Sequence, residues 1–272
     1  MLIKEALYRA REELQQTGIE SFWLDGDLLL AHLLSIDRTA LYIRFNERLS
    51  SAIQSQFFEL IKRRKAKEPV AYLVGEKEFM GLSFKVTTDV LIPRPETEIL
   101  VEAGISLASK MDRPTIIDVG TGSGAIAISL ARYLENQPQL FATDISYFAL
   151  RQAKLNADRL KAKVFFLCSD MLSGLKGKAD LIISNPPYVE RESLFPYEPQ
   201  IALDGGIDGL FFYQRIFSES RSWLKKPGFL AIEMGAGQRE RISEIAQKYG
   251  FSQINTVKDL AGIERVLVTI ND

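Results

Sequence analysis

Asn185, Pro186, Pro187 and Tyr188 stand directly after the apolar run Ala179 to Ser184 and combine residue types suited to holding a planar NH2 group. The lone pair of an amide or exocyclic amine nitrogen is delocalised, so its attack on an electrophile needs acceptors that grip both N–H bonds and aim the nitrogen. The side-chain oxygen of Asn185 and the carbonyl of Pro186 can supply two such acceptors. The prolines stiffen the backbone that carries them, and Pro187 biases Pro186 towards an extended conformation. Tyr188 offers a flat face for a planar group. Asn185, Pro186 and Tyr188 are therefore the candidate catalytic residues, and with Pro187 they form the candidate acceptor-binding site.

Upstream, a strand ending in Asp118-Val119 runs into Gly120, Thr121, Gly122, Ser123 and Gly124 before a helix. Such a turn lets a nucleoside approach the main chain closely. Asp144 ends the next strand, where a carboxylate can accept hydrogen bonds from both ribose hydroxyls or, alternatively, cap the following helix. Asp170 ends the strand after that and, with the apolar Met171, is placed to meet an adenine or its amino group, although Asp170 also reads as a turn residue. The Gly-x-Gly-x-Gly spacing lacks the last interval of the pyrophosphate-binding pattern Gly-x-Gly-x-x-Gly. S-adenosylmethionine fits the loop better than a nicotinamide cofactor does: its carboxylate can use free N–H groups at the helix start. Gly120 to Gly124, Asp144, Asp170, Met171 and Asn185 make up the candidate cofactor site.

The elements that must position these residues alternate. Expected strands are Thr115 to Val119, Leu140 to Thr143, Val164 to Leu167, Ala179 to Ser184, Gly228 to Glu233, Ser252 to Lys258 and Glu264 to Ile270. Expected helices between them are Ala125 to Tyr133, Tyr147 to Leu160, Leu210 to Leu224 and Gln238 to Tyr249. That order implies an α/β doubly wound, mostly parallel sheet, whose ligands bind beyond the carboxyl ends of the strands. Before it, residues 1–75 read as helical, with periodic stretches at Leu2 to Thr17, Asp25 to Ser35 and Ser51 to Lys67. Residues 76–94 alternate, with Gly81 and Thr87 to Asp89 as turns and Val90 to Ile92 in the extended part, and read as a β-hairpin linking two domains. The domain beginning at residue 95 opens with a helix through about Ser109 and continues to residue 272.

Composition narrows the function classes. The chain has 272 residues, 46% hydrophobic and 25% charged, with a net charge of −1. This argues against gripping a long phosphate backbone. One cysteine, Cys168, and one histidine, His32, leave no zinc-like cluster, so no metal is expected in the chemistry. Cys168 reads as core. Neither a secretory signal nor a membrane span is visible in the sequence, which makes the cytoplasm the expected location. The basic cluster Lys62 to Lys67 reads as the solvated end of a helix or, alternatively, as a surface for RNA or an acidic partner. Arg94 with Glu96 reads as an ion pair at the joint, or as a contact to donor or partner. The loop from Val189 to Gly209, with Phe195 and Tyr197, reads as a crossing or as a lid beside the acceptor pocket.

Several stretches in this order resemble one family: Glu68 to Gly75, Val90 to Glu98, Asp118 to Gly124, Asp144 to Ser146, Asn185 to Tyr188, Glu198 to Gly209 and Asp259 to Gly262. Together they are similar to the bacterial HemK/PrmC family, the N5-glutamine methyltransferases of peptide chain release factors. The resemblance implies a seven-stranded class I, Rossmann-like methyltransferase domain over 95–272, preceded by a helical substrate-recognition domain over 1–75. It implies S-adenosylmethionine as donor, S-adenosylhomocysteine as product, and the glutamine of the Gly-Gly-Gln motif as acceptor. It also implies a monomer that acts on a protein, without stable DNA binding or a membrane. Such families often carry an aromatic residue where Met171 stands. A DNA adenine-N6 methyltransferase, a non-catalytic RNA- or ribosome-binding module and a nicotinamide-dependent oxidoreductase are the competing readings.

Overall fold

A computed structural model describes every residue except Leu194 and Phe195, so the expectation for Phe195 lies outside the described residues. The chain divides into two compact units, Met1–Glu76 and Lys77–Asp272. No helix among the described residues is long and apolar enough to cross a membrane.

The first unit is a helical cluster: α1 (Ile3–Gln15), α2 (Phe22–Leu34), α3 (Arg38–Ile43), α4 (Ser51–Lys65) and α5 (Val70–Val74). The helical periodicity of the sequence is realised as one apolar core, with Leu7, Ala10, Leu14, Leu29, Leu30, Leu41, Phe57 and Ile61 buried together. Among its buried charges is Asp27, which accepts from Arg11 Nη2 at 2.8 Å and from the Tyr42 hydroxyl at 2.5 Å. The basic cluster is largely paired within the unit. Arg64 donates to the buried Asp25 at 2.7 Å, Lys65 pairs with Glu13 at 3.1 Å, and Arg63 reaches Glu68.

A two-stranded hairpin comes next, β1 (Glu76–Phe79) and β2 (Leu82–Lys85), turning at Met80 and Gly81, with all but its first residue in the second unit. Val90 to Ile92, expected to extend the hairpin, forms no strand; the apolar side chains of Val90 and Ile92 are buried instead. Then come α6 (Pro95–Ala108), β3 (Thr115–Val119), α7 (Ala125–Tyr133), β4 (Gln139–Asp144), α8 (Tyr147–Arg159), β5 (Phe165–Cys168) and β6 (Ala179–Ser184). After a loop follow α9 (Phe211–Trp223), β7 (Leu224–Glu233), α10 (Arg239–Lys248), β8 (Ile254–Lys258) and β9 (Glu264–Asn271).

The seven-stranded sheet has the order β5-β4-β3-β6-β7-β9-β8, parallel from β5 through β7, with β9 antiparallel to both its neighbours. Alternation along the strands sorts the core into two layers. Ile116, Leu181 and Ile183 pack with Leu100 of α6 and Ile128 of α7. Ile117, Val119 and Ile182 pack on the opposite face with Phe217 of α9 and Ile242 of α10. Cys168, expected in the core, is exposed, since β5 is the edge strand and ends there.

Truncating Asp27 to Ala leaves the Arg11 guanidinium buried without its carboxylate, a loss of about 3–5 kcal/mol for a broken buried ion pair. Hydrogen exchange checks this: D27A is expected to speed amide exchange across residues 1–76 while β3 to β7 keep their protection. Unchanged exchange in α2 would contradict the assignment.

Candidate active site

Parallel register brings the two halves of the site together. Val119, the last residue of β3, pairs with Thr143 of β4 on one side and with Ser184, the last residue of β6, on the other. The glycine loop and the tetrapeptide therefore leave the sheet side by side, and β3 is the point where the strand order reverses. The Ser184 hydroxyl locks the two exits by donating to the Val119 carbonyl at 2.7 Å.

A cavity of about 270 Å³ lies above these exits. Gly120, Gly122, Asp144, Asp170, Met171, Asn185, Pro186 and Pro187 all line it, together with Val90, Leu91, Ile145, Phe211 and Arg215. Four expected residues are not in the lining. Thr121 and Ser123 are buried beneath the loop, Gly124 packs against the helices behind it, and Tyr188 turns towards Glu233.

The loop is shaped from below by Asp118, which is fully buried. Its Oδ2 accepts from the Thr121 hydroxyl at 2.6 Å and from the Ala127 amide at 3.2 Å, tying loop and α7 to the strand end. Burial pushes its pKa from 3.8 up to about 7, opposed by those two hydrogen bonds and reinforced by the nearby Asp144 charge. Gly122 adopts φ +55° with nothing within 4 Å of where a Cβ would project, so the main chain is open to a close-lying ligand there. Gly124 has φ +82°, and a Cβ on it would lie 2.7 Å from Ile128 Cδ1 and 3.1 Å from Ala153 Cβ. Only glycine fits between α7 and α8.

Asp144 accepts from the Gly122 amide and from the Ser146 amide, both at 2.9 Å. Burial, the largest influence, raises its pKa while these backbone bonds lower it. The cap of α8 is Ser146 itself, whose hydroxyl accepts from the Ala149 amide at 3.2 Å. Asp144 thus fixes the loop and retains lone pairs for further donors at the cavity edge. Asp170 departs more from expectation. It lies two residues beyond the end of β5, and both its carboxylate oxygens are held by Arg215, at 2.9 and 3.1 Å. A ligand amino group would have to share that carboxylate with a guanidinium no sequence spacing indicates.

At the acceptor end, Asn185 Nδ2 donates to the Thr97 hydroxyl oxygen at 3.0 Å, and no described residue donates to Asn185 Oδ1. Tyr188 is not a wall of the cavity: its hydroxyl donates to Glu233 Oε1 at 3.3 Å, and its carbonyl accepts from Gln238. Thr97 and Glu233 were not among the expected site residues; the stretch Val90 to Glu98 contains Thr97, but without a stated role. Arg94 pairs with Glu198 and not with Glu96, and Glu198 also accepts from the Ile92 amide at 3.3 Å. That pair ties the segment before α6 to the loop beyond the tetrapeptide.

Residues 5–75 match the family model described as PrmC N-terminal domain, and residues 96–198 match the one described as methyltransferase small domain. The chain is 39% identical over 283 residues to the release factor glutamine methyltransferase of Clostridium acetobutylicum, with 99% of each chain covered. It is 40% identical over 275 residues to the protein of that name from Moorella thermoacetica, covering 97% of each. Among solved structures, a methyltransferase from Pyrococcus furiosus is similar with a TM-score of 0.55 at 18% identity, covering 82% of this chain and 99% of that one. A 16S rRNA methyltransferase from T. thermophilus, in complex with AdoMet and guanosine, is similar with a TM-score of 0.56 at 17% identity, covering 72% and 50%. At such identities these two structures share the class I methyltransferase fold.

The raised pKa of Asp118 has a measurable consequence. A carboxyl that binds its proton more tightly when folded loses stability as pH rises from 3.8 to about 7. The full effect is on the order of 4 kcal/mol. Urea unfolding between pH 4 and 8 is expected to show D118N gaining on the wild type across that range, and parallel profiles would contradict it.

Proposed function

The chain belongs to the release factor glutamine methyltransferase family, and we propose that the cavity at the strand ends is where it carries out that reaction. A methyl group moves from S-adenosylmethionine to the side-chain amide nitrogen of the glutamine in the Gly-Gly-Gln motif of a peptide chain release factor, leaving S-adenosylhomocysteine. The observation that carries the assignment of the site is the pairing of Val119 with Ser184, which opens the glycine loop and the tetrapeptide onto one cavity.

The residues present fit the donor. Gly120 and Gly122 leave space where side chains would stand, and Asp144 presents a carboxylate at the cavity edge suited to ribose hydroxyls. Ile145 and Met171 supply apolar surface for a flat base, with the Asp170–Arg215 pair beside it. When bound, S-adenosylmethionine supplies an electrophilic methyl on a positively charged sulfur. Asn185 Oδ1 and the Pro186 carbonyl then accept the two N–H bonds of the glutamine amide and turn its nitrogen towards that methyl. These acceptors strengthen their hold as positive charge develops on the nitrogen, which is where the rate is gained. The proton that the methylated nitrogen must shed is acidic enough to leave to water or a carbonyl, so no histidine is needed. Tyr188 acts from outside the cavity, holding the end of the tetrapeptide in place through Glu233.

We assign residues 1–75 to recognition of the release factor, a reading supported by the match of residues 5–75 to the PrmC N-terminal domain. A net charge of −1 and the internal pairing of Arg63, Arg64 and Lys65 support a protein substrate over DNA. A cytoplasmic monomer is the form we propose.

The test supplies purified protein with methyl-labelled S-adenosylmethionine and one of three acceptors: release factor, the same factor with its Gly-Gly-Gln glutamine changed to Ala, or duplex DNA. Label is expected on the first alone. Asn185→Ala is expected to lower the rate by roughly 10²-fold, as for loss of one oriented polar group, with donor affinity nearly unchanged. Label on the Ala factor or on DNA would overturn the assignment.

A further inference from the structure

Asp170, in the turn after β5, and Arg215, in α9, both line the cavity and meet there although 45 residues separate them. Arg215 Nη1 donates to Asp170 Oδ1 at 2.9 Å and Nη2 to Oδ2 at 3.1 Å, the parallel two-bond grip of a guanidinium on a carboxylate. We infer that Arg215 is a positioning residue: it aims the Asp170 carboxylate so that the donor end takes a base bearing an exocyclic amine and turns away one bearing a carbonyl in its place. The inference rests on the reading of the cavity as the S-adenosylmethionine site.

Stability does not account for the pair. The Asp170 side chain is 52% exposed and that of Arg215 31%, and ion pairs in contact with water add little to folding. The frame around the pair, by contrast, is fixed on both sides. Ile216, next to Arg215, is buried in the same apolar layer as Leu172, two residues beyond Asp170. The Asp170 carbonyl accepts from the Ser173 amide at 3.2 Å and from the Ser173 hydroxyl at 2.8 Å, which pins the turn. Within that turn Met171 is held at φ +54°, a left-handed conformation that an L side chain adopts only at a cost. Glu219, one turn along α9, accepts from Arg215 Nη2 at 3.1 Å and gives the guanidinium a second anchor. The backbone positions are thus set, and what remains to be fixed is the rotation of the carboxylate. The two-bond grip fixes it.

An ionised carboxylate only accepts, and its two oxygens offer about four lone-pair sites. Arg215 engages one on each oxygen, and the lone pairs left over lie in the plane that the guanidinium dictates. A 6-amino purine brings N–H bonds to such acceptors. A 6-oxo purine brings another acceptor, and two facing acceptors repel. Without Arg215 the half-exposed carboxylate would turn freely and be satisfied by water, and the two bases would be met nearly alike. Arg215 therefore acts on the choice of base through Asp170.

The test measures, by calorimetry on the full chain, the binding of two ligands that carry no methyl to transfer: S-adenosylhomocysteine and its 6-oxo analogue S-inosylhomocysteine. The wild type is expected to favour the adenosyl compound by about 30-fold, the effect of one hydrogen bond to a charged acceptor. Arg215→Met, which keeps the apolar stem, is expected to cut that preference to about 3-fold, chiefly by weakening the adenosyl compound. Asp170→Ala is expected to do the same, and the double variant to go no further, since the two residues act as one unit. Arg215→Lys, with a point charge in place of the fork, is expected near 10-fold, roughly midway, and decides the matter should Arg215→Met fold poorly. A general loss of shape weakens both compounds alike and leaves their ratio at the wild-type value. That ratio in Arg215→Met or Arg215→Lys, or losses that add up in the double variant, overturns the inference. A wild type that binds both compounds equally refutes the inference alone; one that binds neither refutes the donor site proposed above, and this inference with it.

Discussion

The site depends on the way β3 is flanked by parallel neighbours in matched register. Thr143, Val119, Ser184 and Ile232 lie in one row across four strands, so whatever follows each of them emerges at the same height. Gly120, Asp144, Asn185 and Glu233 are those successors. Backbone hydrogen bonds in a buried sheet are hard to shift by one residue, because a slip would also turn every apolar side chain to the wrong face. The spacing between donor loop and acceptor tetrapeptide is therefore a property of the sheet, and the loops need only be rigid on top of it.

Rigidity comes from buried polar groups with few alternatives. Asp118 beneath the glycine loop and Glu233 beneath the tetrapeptide are both carboxylates with almost no exposure, and each ties a loop to a neighbouring helix or strand. Their desolvation costs stability, which is why both titrate so far above an ordinary carboxyl. In return each loop has one well-defined shape. The ion pair of Arg94 with Glu198 does the same for the segments bordering the cavity from the side of α6.

The sheet was legible because its central strands are short continuous apolar runs closed by Asp, Gly or Asn, the pattern of strands buried on both faces. Gly120 to Gly124, Asp144 and Asn185 to Tyr188 could be found because each forms a contiguous motif at a strand end. What escaped is what only folding brings together. Thr97 lies 88 residues from Asn185, Arg215 lies 45 from Asp170, and Arg94 lies 104 from Glu198. No local spacing marks such pairs. Burial outside any strand misled the reading of Val90 to Ile92, and edge position misled that of Cys168, since hydrophobicity alone tells neither strand from coil nor centre from margin.

The absence of a side chain at Gly124 has an effect beyond the loop itself. With Ala153 of α8 so near that a Cβ on Gly124 would sit 3.1 Å from its methyl, the two helices meet through the smallest groups available, and the glycine loop rests on that seam. The breadth of the donor end is consequently governed from behind, by how near α8 can come. Residue 153, which does not line the cavity, is thereby a place from which a lineage could widen or narrow that end while every cavity-lining residue keeps its identity.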